Sequence, residues 1–242
     1  MRFFIWLLLG LLAGQPVVTS QPAATASKPA LNRPAPLATG SVLGVRALMA
    51  AEVRGGSYLA LGDSISAGKY AGTAASSFPD RISSSLGMRL WLVARSGATT
   101  EWAMPRLGSL RGASPALVTI ELGTNDAGMH TPMAVFARRY QAILTAVSKP
   151  RTRVLCLGSW LPAPGYDLTI RTLCERAGGT FVGLEGFYAV NAFHAAKGAP
   201  TFNGPADWFH PSGLGHAAIA AEVLAALAGG EHGFPGLLTT RF

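Results

Sequence analysis

The sequence predicts an α/β domain in which a parallel sheet of about five strands is wrapped by helices. Three observations carry that expectation. Short apolar runs at 57–61, 91–94, 118–122, 154–157 and 181–184 are continuous rather than alternating in polarity, as strands covered on both faces are. Stretches of helical periodicity lie between them, and strand–helix alternation builds parallel sheets. Hydrophobic residues make up 49% of the 242-residue chain and charged residues only 13%, which allows a substantial core and excludes a disordered polyelectrolyte.

At the N-terminus, Arg2 precedes an apolar run from Phe3 to Gly14 that Gln15-Pro16 ends. A spanning helix needs about 20 apolar residues, so this shorter run reads as a secretory signal peptide over 1–26, cleaved after Ser20 or Ala26. An uncleaved membrane anchor is the alternative. Residues 27–53, rich in Pro and Ala, predict a leader or linker, followed by a folded domain over 54–230 and a tail over 231–242. Export makes the protein secreted or periplasmic, and there Cys156 and Cys174 either form one disulfide or remain two separately buried thiols.

The net charge is +8, from 20 basic and 12 acidic residues. Only Arg138-Arg139 and the Arg151/Arg153 pair are close in sequence, and no basic run interleaves with aromatics. That distribution does not describe a nucleic-acid groove. Two cysteines and the lack of an H-E-x-x-H spacing leave no metal site and no cofactor to expect.

Three helices are legible. Thr131-Pro132 looks like an N-cap followed by a first-turn proline, with Phe136, Tyr140, Ile143, Leu144 and Val147 on one stripe. A second helix starts near Asp167, carries Ile170, Leu173, Cys174 and Ala177 on one face, and ends at Gly178-Gly179. The third starts at Ser212 and carries Ile219, Val223, Leu224 and Leu227 before Gly229-Gly230.

Ligands of open parallel sheets bind beyond the carboxyl ends of the strands, so chemistry belongs in the segments that follow each run. The first run leads into Gly62-Asp63-Ser64-Ile65-Ser66, where a serine just past a strand end can expose its hydroxyl and its backbone N–H together. Alone, that segment is equally an ordinary turn. The second run leads to Arg95-Ser96-Gly97-Ala98, whose glycine N–H is a further donor. The third leads to Gly123-Thr124-Asn125-Asp126, where a neutral amide can donate to a developing oxyanion without changing the charge of the site. Near the C-terminus, Asp207-Trp208-Phe209-His210-Pro211 sets a carboxylate three residues before a histidine. It can reach Nδ1 and fix the tautomer, leaving Nε2 as a general base. His216, inside the third helix and without an acidic neighbour, reads as structural, and His130, His194 and His232 also lack a partner.

In this order the four blocks resemble the SGNH/GDSL hydrolase family, over a span from about Tyr58 to Gly229. The resemblance implies a flavodoxin-like three-layer α/β/α sandwich and a metal-independent serine esterase. It implies Ser64 as nucleophile with Asp207 and His210 completing a triad. The backbone N–H groups of Ser64 and Gly97 and the amide of Asn125 would form the oxyanion hole, with Asp63 and Asp126 organising the loops. Ile65 stands where the family motif has leucine. Trp102, Trp160 and Trp208 either line the strand-end face as an aromatic rim for an acyl chain or sugar ring, or pack under loops. No long insertion suggests a large lid, so the expected substrate is a short-chain acyl or acetyl ester, on a small molecule or a polysaccharide, met by a monomer. The alternatives are an acyltransferase that uses the same acyl-enzyme and a catalytically silent binding module.

Overall fold

In the computed structural model, which describes residues 52–73, 75–201 and 203–229, the apolar runs are strands of one sheet. The signal peptide, the leader up to residue 51 and the C-terminal tail lie outside the described residues. The strands are β1 (Ser57–Gly62), β2 (Arg89–Ala94), β3 (Leu117–Glu121), β4 (Arg153–Leu157) and β5 (Thr180–Val182), all parallel, in the spatial order β2-β1-β3-β4-β5. That is the flavodoxin-like order, in which the winding reverses between β1 and β3 and leaves a crevice at their carboxyl ends. A small antiparallel ribbon, β6 (Pro200–Thr201) and β7 (Gly204–Pro205), stands apart from the sheet.

The helices are α1 (Phe78–Leu86), α2 (Thr100–Ala103), α3 (Leu107–Gly112), α4 (Thr124–Gly128), α5 (Met133–Val147), α6 (Pro164–Arg176) and α7 (Gly213–Leu227). Successive strand residues point to opposite faces, and both faces are buried here. Tyr58, Ala60, Leu155 and Leu157 pack with Phe78 and Ile82 of α1 and Ile219 and Val223 of α7. Leu59, Leu61, Val118 and Ile120 pack with Phe136, Tyr140 and Ile143 of α5 and Ile170 of α6. Two helical layers enclosing one sheet explain why β1, β3 and β4 are buried at nearly every position, the polar Thr119 and Glu121 of β3 included. The outer strand β2 departs from the expected coverage. Trp91 is 38% and Leu92 42% exposed, because helices packed over the centre of a sheet leave its border strand half covered.

The helix stripes pack as their periodicity demands, but two starts differ from the sequence expectation. α5 begins at Met133 with Pro132 as its cap residue, while the Thr131 carbonyl accepts from the Tyr166 hydroxyl at 2.6 Å. α6 begins at Pro164, before Asp167. The Asp167 carboxylate instead sits in the first turn and accepts from the N–H groups of Ser159 (2.7 Å) and Ala163 (3.2 Å), fastening the preceding loop. Ser212 caps α7 by accepting from the Gly215 N–H at 3.2 Å. At the other end of the domain Val53, assigned above to the leader, is already buried in the core.

Cys156 of β4 and Cys174 of α6 are joined in a disulfide, so the two-thiol alternative falls. The bridge closes a loop across 18 residues in the core between sheet and α6. Replacing both cysteines by alanine should lower stability by about 2–4 kcal/mol, chiefly by freeing that loop in the unfolded chain. Urea unfolding of the double variant against the oxidised wild type measures it.

Candidate active site

The site forms where β1 and β3 diverge. β1 ends at Gly62, where a Cβ would collide with the Ser66 side chain and the Glu121 carbonyl, so this close approach requires glycine. Beyond it, Ala67 N–H bonds to the Asp63 carbonyl (3.0 Å) and Lys69 N–H to the Ser64 carbonyl (2.9 Å). This single helical turn sets Ser64 past the strand end.

His210 Nε2 stands 3.0 Å from Ser64 Oγ, and its Nδ1 stands 2.8 Å from Asp207 Oδ2. Asp207 Oδ1 also accepts from the N–H groups of Phe209 (2.9 Å) and His210 (3.1 Å). So compact a turn runs through Trp208 at φ +70°, a left-handed conformation uncommon for a residue with a side chain. The rings of Tyr70 and Phe209 meet the His210 imidazole edge-on.

Electrostatics suit this geometry. Burial lowers the His210 pKa and the Asp207 hydrogen bond and charge raise it; with Lys69 adding repulsion, the result lies below the ordinary imidazole value. The ring is therefore neutral at pH 7, with a lone pair on Nε2 facing the serine. Burial pushes Asp207 up, but the hydrogen bonds from the His210 ring and from the backbone outweigh it and hold the carboxyl below its usual range. Lys69 Nζ lies 3.9 Å from Asp207 at the solvent edge.

Asn125 stands in the first turn of α4. Gly123 ahead of it has φ +146°, and a Cβ there would meet Ile170 Cδ1 at 2.9 Å, so only glycine admits this close turn. Asn125 Nδ2 donates to Asp63 Oδ2 (2.8 Å) and to the Ala98 carbonyl (3.1 Å), which engages both of its protons. Asp63 Oδ1 accepts from the Ile65 N–H at 2.9 Å. Asp126 accepts from the Thr100 N–H (2.8 Å) and hydroxyl (2.7 Å). Asp63 thus ties the first motif loop to the third, and Asp126 ties the third to the second. Gly97 occupies a left-handed bend, φ +77°, closed by the Ala98 N–H bonding to the Arg95 carbonyl at 2.9 Å.

Sequence reasoning passed over Glu121, the last residue of β3. It is fully enclosed and accepts from the N–H groups of Asp63 (3.3 Å) and Ser66 (3.2 Å) and from the Ser66 hydroxyl (2.9 Å). Burial, then the neighbouring Asp63 charge, pushes Glu121 well above its ordinary value, and burial pushes Asp63 up to about 6. Two carboxyls facing each other away from water retain a proton between them. The signal was available: a lone acid in a strand buried on both faces needs a partner. A carboxyl with a raised folded pKa stabilises the protein at low pH, and that contribution is lost as pH rises past the unfolded value and through the folded one. Glu121→Gln should therefore gain stability relative to wild type between pH 5 and pH 8. Glu121→Ala, which strands three buried donors, should lose roughly 2–4 kcal/mol. Urea unfolding at both pH values checks both outcomes.

The three tryptophans part company. Trp160 does not line a rim: it is fully buried, its indole N–H donates to the Phe209 carbonyl (2.6 Å), and its backbone N–H donates to the Thr124 hydroxyl (3.0 Å). A large ring with two donors satisfied from opposite motif loops is held beneath them both. Trp102 has the Arg106 and Arg95 guanidinium groups over its ring, at 3.7 and 5.4 Å from its centroid. Trp208, within the turn from Asp207 to His210, is 41% exposed. His216 is buried, and its Nε2 lies 3.2 Å from the Lys69 carbonyl; burial lowers its pKa to about 4, so the neutral ring donates there and fastens the end of the Ser64 turn. His194, without a partner in the sequence reading, faces two carbonyl oxygens. Among the described residues no group of His, Cys, Asp and Glu is arranged to hold a metal ion.

A search of curated protein sequences finds no match. Solved structures share the architecture. A crystal structure of TesA superposes with a TM-score of 0.56 at 21% identity, over 71% of this chain and 97% of that one. The psychrotrophic esterase EstA from Pseudoalteromonas sp. gives 0.55 at 18%, over 69% and 93%. A family two carbohydrate esterase from Clostridium thermocellum, in complex with cellohexaose, gives 0.53 at 19%, over 72% and 63%. At such identities the likeness establishes the fold. The GDSL-like lipase/acylhydrolase family model matches residues 60–218, more than half of the chain and every motif loop described above, and the chain belongs to that family.

Proposed function

We propose that this chain is an exported serine esterase that hydrolyses short-chain acyl or acetyl esters through an acyl-enzyme on Ser64. The observation that carries this reading is the unbroken line of contacts from Ser64 Oγ through His210 to Asp207. His210 Nε2 takes the hydroxyl proton as Ser64 Oγ attacks the ester carbonyl, and Asp207 stabilises the imidazolium that forms. The oxyanion is met by the N–H groups of Ser64 and Gly97 and by the Asn125 amide. Asn125 has no idle proton, so the oxyanion takes the one now on the Ala98 carbonyl, the longer of its two bonds, while Asp63 keeps the other and holds the amide plane. His210 then protonates the departing alkoxide. Water, deprotonated by the same nitrogen, attacks the acyl-enzyme and releases the acid.

The exposed Trp208 ring supports a substrate contact beside the triad, suited to the alcohol part of a small-molecule or polysaccharide ester. The buried disulfide supports maturation in an oxidising compartment, secreted or periplasmic. Among the described residues no helix is long and apolar enough to cross a membrane. A panel of p-nitrophenyl esters tests the substrate class: kcat/KM should peak at acetate or butyrate and be indifferent to chelators. A peak at long acyl chains would contradict it. Because His210 must be neutral to accept a proton and its pKa is depressed, kcat/KM should fall on acidification with a midpoint below about 6.5. A pH–rate profile with p-nitrophenyl acetate measures that limb.

A further inference from the structure

His194 is buried against the loop that carries Asp207 and His210. Its Nδ1 lies 2.8 Å from the Trp208 carbonyl oxygen and its Nε2 2.6 Å from the Tyr188 carbonyl oxygen. Carbonyls only accept, so either tautomer donates to one of them and the imidazolium donates to both. The imidazole also lies flat on the Trp208 ring, with centroids 4.0 Å apart and planes 6° from parallel. Tyr188 and Trp160 close around it edge-on, at 4.7 and 5.6 Å. The backbones on either side are joined: Ala195 N–H donates to the His210 carbonyl (3.0 Å) and Ser212 N–H to the Phe193 carbonyl (2.7 Å).

These contacts converge on one residue. Trp208 is held by its ring and, with the proton on His194 Nδ1, by its carbonyl as well, and it is the residue at φ +70°. A left-handed tryptophan is strained and persists only where its surroundings over-determine it. The same turn allows Asp207 Oδ1 to accept from the N–H groups of Phe209 and His210 while the carboxylate meets the His210 ring. A relaxed Trp208 would swing the Asp207 peptide and break that set. We propose that His194 is a positioning residue of the triad, which keeps Trp208 left-handed and thereby aims Asp207 at His210 Nδ1. This rests on reading Ser64, His210 and Asp207 as the reactive set. Trp160, bonded to the Phe209 carbonyl at 2.6 Å, holds the next peptide of the same loop, so loss of His194 should impair the triad rather than abolish it.

Two variants separate the ring from its donors. His194→Phe keeps a flat ring on Trp208 but leaves both carbonyls without a donor, whereas His194→Gln keeps a donor without the ring. The readout is the far-downfield proton NMR signal of His210 Nδ1–H, assigned by its loss in His210→Ala, together with kcat for p-nitrophenyl acetate. Wild type should show the signal. Both variants should lose or broaden it while remaining folded by near-ultraviolet circular dichroism, and kcat should drop roughly 10–100-fold, the scale of a misplaced catalytic group. A folded variant of either kind that keeps the signal and the wild-type kcat overturns the proposal, whatever its thermal stability. Failure of the esterase reading looks different: wild type would be inert toward esters, or Ser64→Ala fully active. The proton signal would still report whether His194 aims Asp207 at His210.

Discussion

Ser64→Ala and His210→Ala should each lower kcat for p-nitrophenyl acetate by on the order of 10⁶-fold, the scale known for serine triads, and the double variant should lose little more. Each step of the proposed chemistry needs both groups: without the hydroxyl no acyl-enzyme forms, and without Nε2 the hydroxyl stays protonated. With His210 on Ser64 at 3.0 Å and Asp207 on the far side of the ring at 2.8 Å, the three side chains act as one unit, so their losses do not multiply. His216→Ala is the control. Its ring is also buried and close in sequence, but it bonds a carbonyl at the end of the Ser64 turn and faces no reacting atom. It should cost stability and far less turnover.

Asn125→Ala should lower kcat by about 10²–10³-fold with little change in KM, as loss of one oxyanion donor does. In the proposed mechanism the amide meets a charge that exists only in the transition state, so removing it should leave ground-state binding intact. Its partners sharpen the expectation. The substitution also unpairs Asp63 Oδ2 and the Ala98 carbonyl, which should loosen the loops around Gly97. Asn125→Asp should be worse for both folding and rate, because it sets a second carboxyl against a buried one. Steady-state kinetics with a stability measurement on each variant separate the two effects.

What the sequence made legible and what it left hidden follow from the range of the interactions. β1 and β4 were visible because burial on both faces writes a largely apolar run, which Thr119 and Glu121 interrupt in β3, and α5 because a helix packed on one side writes a stripe. Asp207 and His210 were visible because their contact spans one turn. The meeting of Ser64 with His210, 146 residues apart, has no signature in spacing and entered through the family resemblance. Glu121 on Ser66, Trp160 on Phe209 and His194 on Trp208 depend on which loops the crossovers bring together, and a residue type alone does not say so. Trp160 shows the hazard most plainly. A tryptophan after a strand end fits a substrate rim and a loop support equally well until its N–H finds a carbonyl. The exposed side chains of β2 reflect its place at the sheet border, which strand order sets and local composition does not.

The central claim is that Ser64 is the nucleophile, activated by His210. The most direct measurement is labelling of the purified protein with a fluorophosphonate, followed by intact-mass analysis and peptide mapping. One adduct per chain is expected, mapped to Ser64, absent from Ser64→Ala and strongly slowed in His210→Ala. A label on another residue, or labelling undiminished in Ser64→Ala, would contradict the account.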